Sequence, residues 1–258
     1  MATSTPPMYS DAPLALIHTP QYETGTTDAF TIEASHMALS HNAFIRGFNS
    51  IYQQAPRVTA PADQADFVGY CIAWHDCVKA HHDFEETEFF PNLNKATGKK
   101  GLMDHAVDGH AAFHDGMSRF KTYLSSVSKG GAFSGAELIH IMDSFKDPLY
   151  AHLKSEPGTI VALARHSTPE RPVDILGIAD RAGKKQVTLG FVFNVMPVFL
   201  LNMDTVEFED GMWHGVFPPF KDSGLGRWIL MKLVPLWRRG QWRVSSYDGD
   251  GRVKALAV

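Results

Sequence analysis

Four stretches of this chain repeat apolar residues at three- and four-residue steps, and each carries histidine inside its apolar stripe. This period predicts amphipathic helices at about residues 28–54, 62–95, 102–127 and 136–165. The segments between them, such as "QAPRVTAPAD", "ATGKKG" and "SKGGAFSG", are short and rich in Pro or Gly. The pattern predicts an all-α fold, an antiparallel up-down-up-down four-helix bundle. Pro148 and Pro157 fall inside the fourth helix and should kink or locally break it.

The rest of the chain divides into two flanking segments. Residues 1–26 form an N-terminal arm without a clear period, residues 27–168 form the bundle, and residues 169–258 form a C-terminal extension rich in Gly, Pro and aromatic residues. We expect the extension to cover the bundle and to shape a pocket beside it, because its aromatic side chains would otherwise form an exposed apolar patch. Those side chains are Phe191, Phe193, Phe199, Trp213, Phe217 and Phe220.

Composition excludes several classes of function. A net charge of -4 over 258 residues gives no basic surface for nucleic acid. The longest apolar run is short for a membrane span and is interrupted by Asn194 and Pro197, so membrane contact is not expected. The N-terminus lacks the features of a secretory signal, which predicts a cytoplasmic protein with Cys71 and Cys77 reduced.

The polar side chains within the apolar stripes are those that bind metals. Three of the helices carry them as i, i+4 pairs, which leave the same face of a helix. Burying such groups without partners is costly, so they predict a metal site inside the bundle. Imidazole suits iron, copper, zinc and nickel, and a carboxylate can bridge two ions. The candidate ligands are His41, His81, Glu85, His110, His114, His152 and Glu156. They predict two iron ions with an open position.

One helix offers two choices of ligand pair. His82 and Glu86 are also spaced i, i+4, one residue after His81 and Glu85. The earlier pair is favoured because aromatic residues share its stripe, and His82 or Glu86 would then lie beside the ligands. The sequence leaves this alternative open. The aromatic residues are Phe67, Tyr70, Trp74 and Phe84.

The segments "SHNAFIRGFNSIY", "HHDFEETEFFP", "DGHAAFHDGM" and "AHLKSEPGTI" resemble the hemerythrin-like HHE cation-binding domain family over about residues 27–166. The resemblance implies a bundle around a non-heme di-iron centre, with the seven candidate residues as ligands. The stretch "DTVEFEDGMWHGVFPPF" is similar to an extended fungal branch of the family. Invertebrate oxygen carriers have aspartate five residues after their last histidine. Here Pro157 holds that position, which favours the HHE branch over oxygen carriage.

The resemblance implies a protein that binds and activates dioxygen or peroxide, with oxidation of a small organic substrate as the expected outcome. The alternative is non-catalytic: reversible oxygen binding, sensing or iron storage. A histidine-rich ligand set favours the alternative, while the long extension favours an enzyme with a substrate pocket. A structural zinc site is not expected, because structural zinc takes four ligands and this set has seven.

Overall fold

The computed structural model describes residues 7–211 and 224–258, and their fold is an all-α bundle, which confirms the predicted class. Four long helices build it: α2 (Ala29–Gln54), α3 (Pro61–Phe84), α5 (Asp104–Ser128) and α6 (Gly135–Ala162). A short helix α1 (Pro20–Thr24) precedes them, and a π turn at Glu85–Phe89 joins α3 to α4 (Phe90–Thr97). The extension adds α7 (Ile175–Gln186), α8 (Leu189–Asn194), α9 (Met196–Leu200), α10 (Gly224–Trp228) and α11 (Arg239–Trp242).

The long helices begin and end where local chemistry favours it. The Asp28 carboxylate accepts from the backbone N–H groups of Phe30 and Thr31 at the start of α2, and the Ser134 hydroxyl accepts from Glu137 N at the start of α6. These contacts satisfy N–H groups that have no partner within their helices. The predicted helix positions therefore agree with the structure to within a few residues.

Glycine lets α5 pack closely on α6. A Cβ atom at Gly116 would lie 2.4 Å from Phe145 Cβ, and one at Gly109 would lie 2.9 Å from His152 Nδ1. The α5–α6 contact is more extensive than the α3–α5 contact. The bundle is therefore tight on one side of α5 and more open on the other.

Of the two effects expected of proline in the fourth helix, a kink or a local break, the structure excludes the break. Helix α6 runs without interruption through Pro148 and Pro157. Each proline removes one N–H group and so leaves the carbonyl four residues earlier without its helical donor. For Pro157 that carbonyl belongs to Leu153, and His41 Nδ1 donates to it at 2.7 Å. A side chain from another helix thus replaces the missing helical bond.

The N-terminal arm is fixed to α2 by two asparagine side chains. Asn42 accepts from Ile17 N at 2.8 Å and donates to Ile17 O at 2.8 Å. Asn49 makes the same pair of bonds with Leu14, at 2.9 and 2.8 Å. At these two positions the arm pairs its backbone with buried amides, and nearer its start Met8 forms an antiparallel bridge with Ala255.

The extension packs on α2 and α3. The Phe199 ring lies 5.1 Å from Phe44, and the Trp242 ring lies 6.4 Å from Tyr70. Asn202 donates to the Tyr70 hydroxyl at 2.8 Å. The aromatic residues at 213, 217 and 220, from which we expected part of a pocket, lie outside the described residues. Within the described part of the chain, no helix combines the length and the apolar character needed to cross a membrane.

Candidate metal centre

Two groups of ligand-type side chains meet in the bundle interior, and both contain Glu85. One group is His41, His81, Glu85 and Glu156, and the other is His82, Glu85, His110 and His152. Within each group the ligand atoms lie within 4.8 Å of one another. Helix α2 supplies His41, and α5 supplies His110. Helix α3 and the π turn after it supply His81, His82 and Glu85, and α6 supplies His152 and Glu156. Four elements thus converge on one centre.

Six of the seven predicted residues lie in this centre, and His114 does not. The His114 side chain is 78% exposed and lies 3.5 Å from Asp115 Oδ1. The buried stripe of α5 passes through Phe113, Phe120 and Leu124. At about 100° per residue, His110 lies at the edge of that stripe and His114 lies roughly 40° farther out. The i, i+4 spacing therefore placed His114 near His110 but could not place it in the core.

Both His81 and His82 lie in the centre, one in each ligand group, so the structure does not select one over the other. Glu85 lies four residues after His81 and three after His82, and both spacings bring side chains together on a helix. The carboxylate therefore sits between two adjacent histidines that point into different groups. This dual spacing was visible in the sequence and was the signal that could have identified His82.

Each carboxylate contacts both groups. Glu85 Oε1 lies 2.9 Å from His81 Nε2, and its Oε2 lies 3.4 Å from His110 Nε2. Glu156 Oε2 lies 3.3 Å from His41 Nε2 and 3.5 Å from His152 Nε2. Glu85, which directs one oxygen toward each of the two ligand groups, is therefore placed to bridge two cations.

Contacts on the far side of two imidazoles fix how the rings point. His41 Nδ1 donates to Leu153 O, which directs its Nε2 toward His81 and Glu156. His110 Nδ1 lies 2.6 Å from Glu86 Oε1, which directs its Nε2 toward Glu85. Such contacts are usual behind histidines that bind metal, because they select the tautomer and raise the basicity of the ring. Glu86 is thus beside the centre, as one of the open alternatives allowed.

The centre is rich in buried polar atoms without hydrogen bonds. These atoms are Nε2 of His82, His110 and His152 and both carboxylate oxygens of Glu85 and Glu156. Buried polar groups normally have partners, and seven orphaned atoms in one place would be strongly destabilising. All seven are nitrogen or oxygen atoms that can bind a metal ion, and all belong to residues of the two ligand groups. The residues present therefore fit a bound cation, with imidazole and carboxylate donors that suit a transition metal.

The titration of the centre is divided between its members. Burial lowers the pKa of His152 to about 3, so this ring is neutral. Burial acts to raise the pKa of Glu85, but His81 and His110 beside it hold that pKa well below its ordinary value. Burial and the charge of Glu85 raise the pKa of Glu156. The pKa values of these two neighbouring carboxyl groups are therefore shifted in opposite directions.

Aromatic rings enclose the centre. Phe44 lies 4.9 Å from the His81 ring, and Phe113 lies 5.1 Å from His82 and 5.6 Å from His152. Phe199 of the extension packs behind Phe44. The group around His41 and His81 is therefore closed by the extension, while the group around His82 and His110 faces the α3–α5 side of the bundle.

Comparison with known proteins agrees with this geometry. The model of the hemerythrin HHE cation-binding domain matches residues 34–164, which contain every residue of the centre. Over 249 residues the chain is 31% identical to a protein of a dimeric xanthone biosynthesis cluster in Cryptosporiopsis sp., a match that covers 95% of this chain and 90% of that relative. No solved structure matches the chain.

Proposed function

Because this chain belongs to the hemerythrin HHE cation-binding domain family, we propose that its centre holds two iron ions and that the protein binds and activates dioxygen or peroxide. One observation carries the proposal: Glu85 presents one oxygen to each of two histidine groups. A mononuclear site would need neither the second group nor a carboxylate shared between the two.

The two groups divide the ligands between the ions. His41, His81 and Glu156 would hold one ion, His82, His110 and His152 would hold the other, and Glu85 would touch both. Iron bound there supplies the electrons needed to reduce dioxygen or peroxide. Seven donors for two ions leave room for a small ligand, because iron accepts up to about six donors in octahedral sites.

The protein's own residues would prepare this site in three ways. Phe44 and Phe113 exclude water from the imidazoles, which strengthens every charge interaction inside. Leu153 O and Glu86 hold His41 and His110 in fixed orientations. The raised pKa of Glu156 means that a bound cation would compete with a proton for this carboxylate.

The relative supports an organic substrate for this chemistry. That protein is named for a cluster that makes dimeric xanthones, and xanthones are flat tricyclic aromatic ketones. The similarity extends over almost the whole of both chains, including the extension. We propose that this protein oxidises a small hydroxylated aromatic molecule with the activated oxygen species.

The composition of the centre favours a second candidate. Five imidazoles and only two carboxylates give the ions less negative charge than a glutamate-rich set would. Such a set stabilises highly oxidised iron less well. This observation supports reversible oxygen binding, sensing or iron storage without turnover.

Anaerobic loading with ferrous iron, followed by exposure to oxygen, tests both candidates. We expect about two irons per chain, as the donor count implies. Oxygen should be consumed faster when a hydroxylated aromatic compound is present, and protein loaded with redox-inert zinc should consume none. One iron at saturation would overturn the dinuclear assignment. Oxygen uptake that reverses fully when oxygen is removed, without consumption, would favour the second candidate.

A further inference from the structure

An open groove runs along the outside of the bundle between α3 and α5. Its volume is about 820 Å³, and its lining comes from α3, the π turn and α5. The lining on α5 extends from His110 to Lys129, which is roughly 28 Å of helix at 1.5 Å per residue. Sites for small organic ligands occupy about 300–1,000 Å³, so the groove has the size of a binding site.

One end of the groove reaches the metal centre. His82 and His110 line the groove and also belong to the second ligand group. Phe113 forms the floor beside them, with its ring 5.1 Å from His82 and 6.1 Å from His110. The first group has no member in the lining, because Phe44 and the extension enclose it on its own side.

This groove is separate from the pocket that we expected beneath the extension, part of whose expected lining lies outside the described residues. Every residue that lines the groove lies between positions 75 and 129, within the bundle. The described residues of the extension pack on α2 and α3 instead. Among the described residues, none from the extension lines the groove on the α3–α5 side, which reaches the centre.

The lining combines apolar side chains at its base with hydroxyl groups along α5. Phe113 and Met117, one helical turn apart, are buried and give the groove its flat apolar floor. The hydroxyl groups of Ser118, Thr122 and Ser125 follow along α5. Such hydroxyl groups can donate to or accept from ligand oxygens. An apolar floor with a few polar groups at the edges suits a flat molecule that carries oxygen substituents.

The charged side chains do not favour a strongly ionic ligand. Lys79 is paired with Asp83, and Lys121 is paired with Asp76, which also contacts His75 Nδ1 at 2.9 Å. Lys129 lies at the end of the groove far from the centre. Close to the centre, Glu86 contacts His110 Nδ1 at 2.6 Å, so this carboxylate also has a partner within the protein.

We propose that this groove is the binding site of the organic substrate, a flat hydroxylated aromatic molecule of several fused rings, held with one edge against His82 and His110. The role of the bound molecule as a substrate rests on the proposed function, but its binding to the groove needs no iron. It also gives a reason for the wide α3–α5 spacing, since dioxygen alone does not require an opening of this size.

The test measures binding to the full metal-free chain, so that it does not depend on any oxygen chemistry. The probe is euxanthone, a dihydroxylated tricyclic aromatic ketone, titrated by fluorescence. The blocking variant is Ser118→Trp, because Ser118 is exposed, lines the groove and lies roughly 12 Å along α5 from His110. The matched control is Ala112→Trp, an exposed position on the same helix outside the lining.

We expect Ser118→Trp to weaken euxanthone binding by at least about ten-fold and Ala112→Trp to leave it unchanged. Both variants should keep the iron content of the unmodified chain. Equal binding by the two variants, or no binding by the unmodified chain, would overturn the groove assignment. Myristate provides the test of class: if this flexible chain binds as tightly as euxanthone and displaces it, the flat aromatic assignment is wrong. A failure of iron loading would count against the proposed function alone.

Discussion

At the scale of single residues, Glu85 decides which histidines enter the centre. Glu85 begins the π turn, four residues after His81 and three after His82. One carboxylate therefore meets two adjacent imidazoles that belong to different ligand groups. On α5 no buried carboxylate draws His114 inward, and the core stripe passes a quarter-turn or so away from it. Histidine in phase with a helix is therefore not sufficient for a ligand, because a side chain beyond the edge of the buried stripe, as at position 114, is exposed to solvent.

We predict that His82→Ala lowers iron content from about two to about one per chain, because it removes a donor from the second group. His114→Ala is the matched control, since it removes an exposed histidine one helical turn from His110. Its iron content should equal that of the unmodified chain, as measured by elemental analysis of the purified proteins. Loss of iron from His114→Ala with retention in His82→Ala would contradict the placement of both residues.

We predict that metal affinity falls steeply as pH drops below neutrality. Burial acts to lower the pKa of His81, but Glu85 beside it raises that pKa overall, and the same holds for His110. Metal binding must displace these protons, so affinity is full above the raised pKa values and is lost as pH falls through them.

Zinc titrations between about pH 6 and 8 measure this dependence. The metal-free fold should respond in the opposite sense. Protonated His81 and His110 stabilise it below the ordinary histidine pKa, and this contribution is lost as pH rises through the raised values. Zinc affinity that does not change across the range would contradict the prediction.

At the scale of elements, a helix defect serves the centre. Pro157 cannot donate to Leu153 O, so that carbonyl is available to His41 Nδ1 at 2.7 Å. Helix α6 continues past Pro157, and the imidazole takes the place of the missing N–H donor. The proline and the histidine, far apart in sequence, are thus coupled through one carbonyl group.

We predict that Pro157→Ala weakens metal binding by about 10–100-fold, the usual effect of removing a contact behind a ligating histidine. The new N–H at position 157 would donate to Leu153 O and compete with His41. Thermal stability of the metal-free chain should not fall, because alanine is a far better helix former than proline.

Pro148→Ala is the matched control in the same helix. The carbonyl that it would engage belongs to Ser144, an exposed residue. Titration with zinc, followed by thermal unfolding, separates the two effects. Equal metal affinity in both variants would exclude a positioning role for Pro157.

At the scale of the whole molecule, the extension completes the core of the bundle. Buried residues of the extension, including Val198, Leu201 and Trp242, belong to the same apolar cluster as the interior of α2 and α3. Asn202 adds hydrogen bonds to the Tyr70 hydroxyl and to Ser246. The described residues of the extension therefore stabilise the bundle on the side of α2 and α3, and none of them lines the groove that reaches the centre.

We predict that Trp242→Ala destabilises the fold by about 3–5 kcal/mol, the usual cost of removing a large buried aromatic side chain. Trp237→Ala is the control, because its side chain is 57% exposed and its loss should cost less than about 1 kcal/mol. Denaturant unfolding measures both. Iron per folded chain should be unchanged, since Trp242 packs on Tyr70, about three helical turns before His81. Equal stability of the two variants would mean that the extension is only loosely attached.

The sequence by itself determined the helices, the bundle and the chemistry of the centre. Apolar periodicity located α2, α3, α5 and α6, and the histidine and glutamate residues within those stripes identified six members of the centre, because helical phase is a local property. The sequence also contained the spacing of Glu85 to both His81 and His82, but it did not show how far the buried stripe of α5 extends, and that limit leaves His114 exposed.

The tertiary structure alone decided three further features. Pro157 was expected to kink or break α6, and the structure shows in addition that it frees a carbonyl for a histidine on another helix. The groove that reaches the centre lies between α3 and α5, where none of the described residues of the extension lines it. The pKa values of Glu85 and Glu156 shift in opposite directions because of charged and buried surroundings supplied by several helices. Each of these features depends on distances between residues far apart in the chain, which local periodicity does not contain.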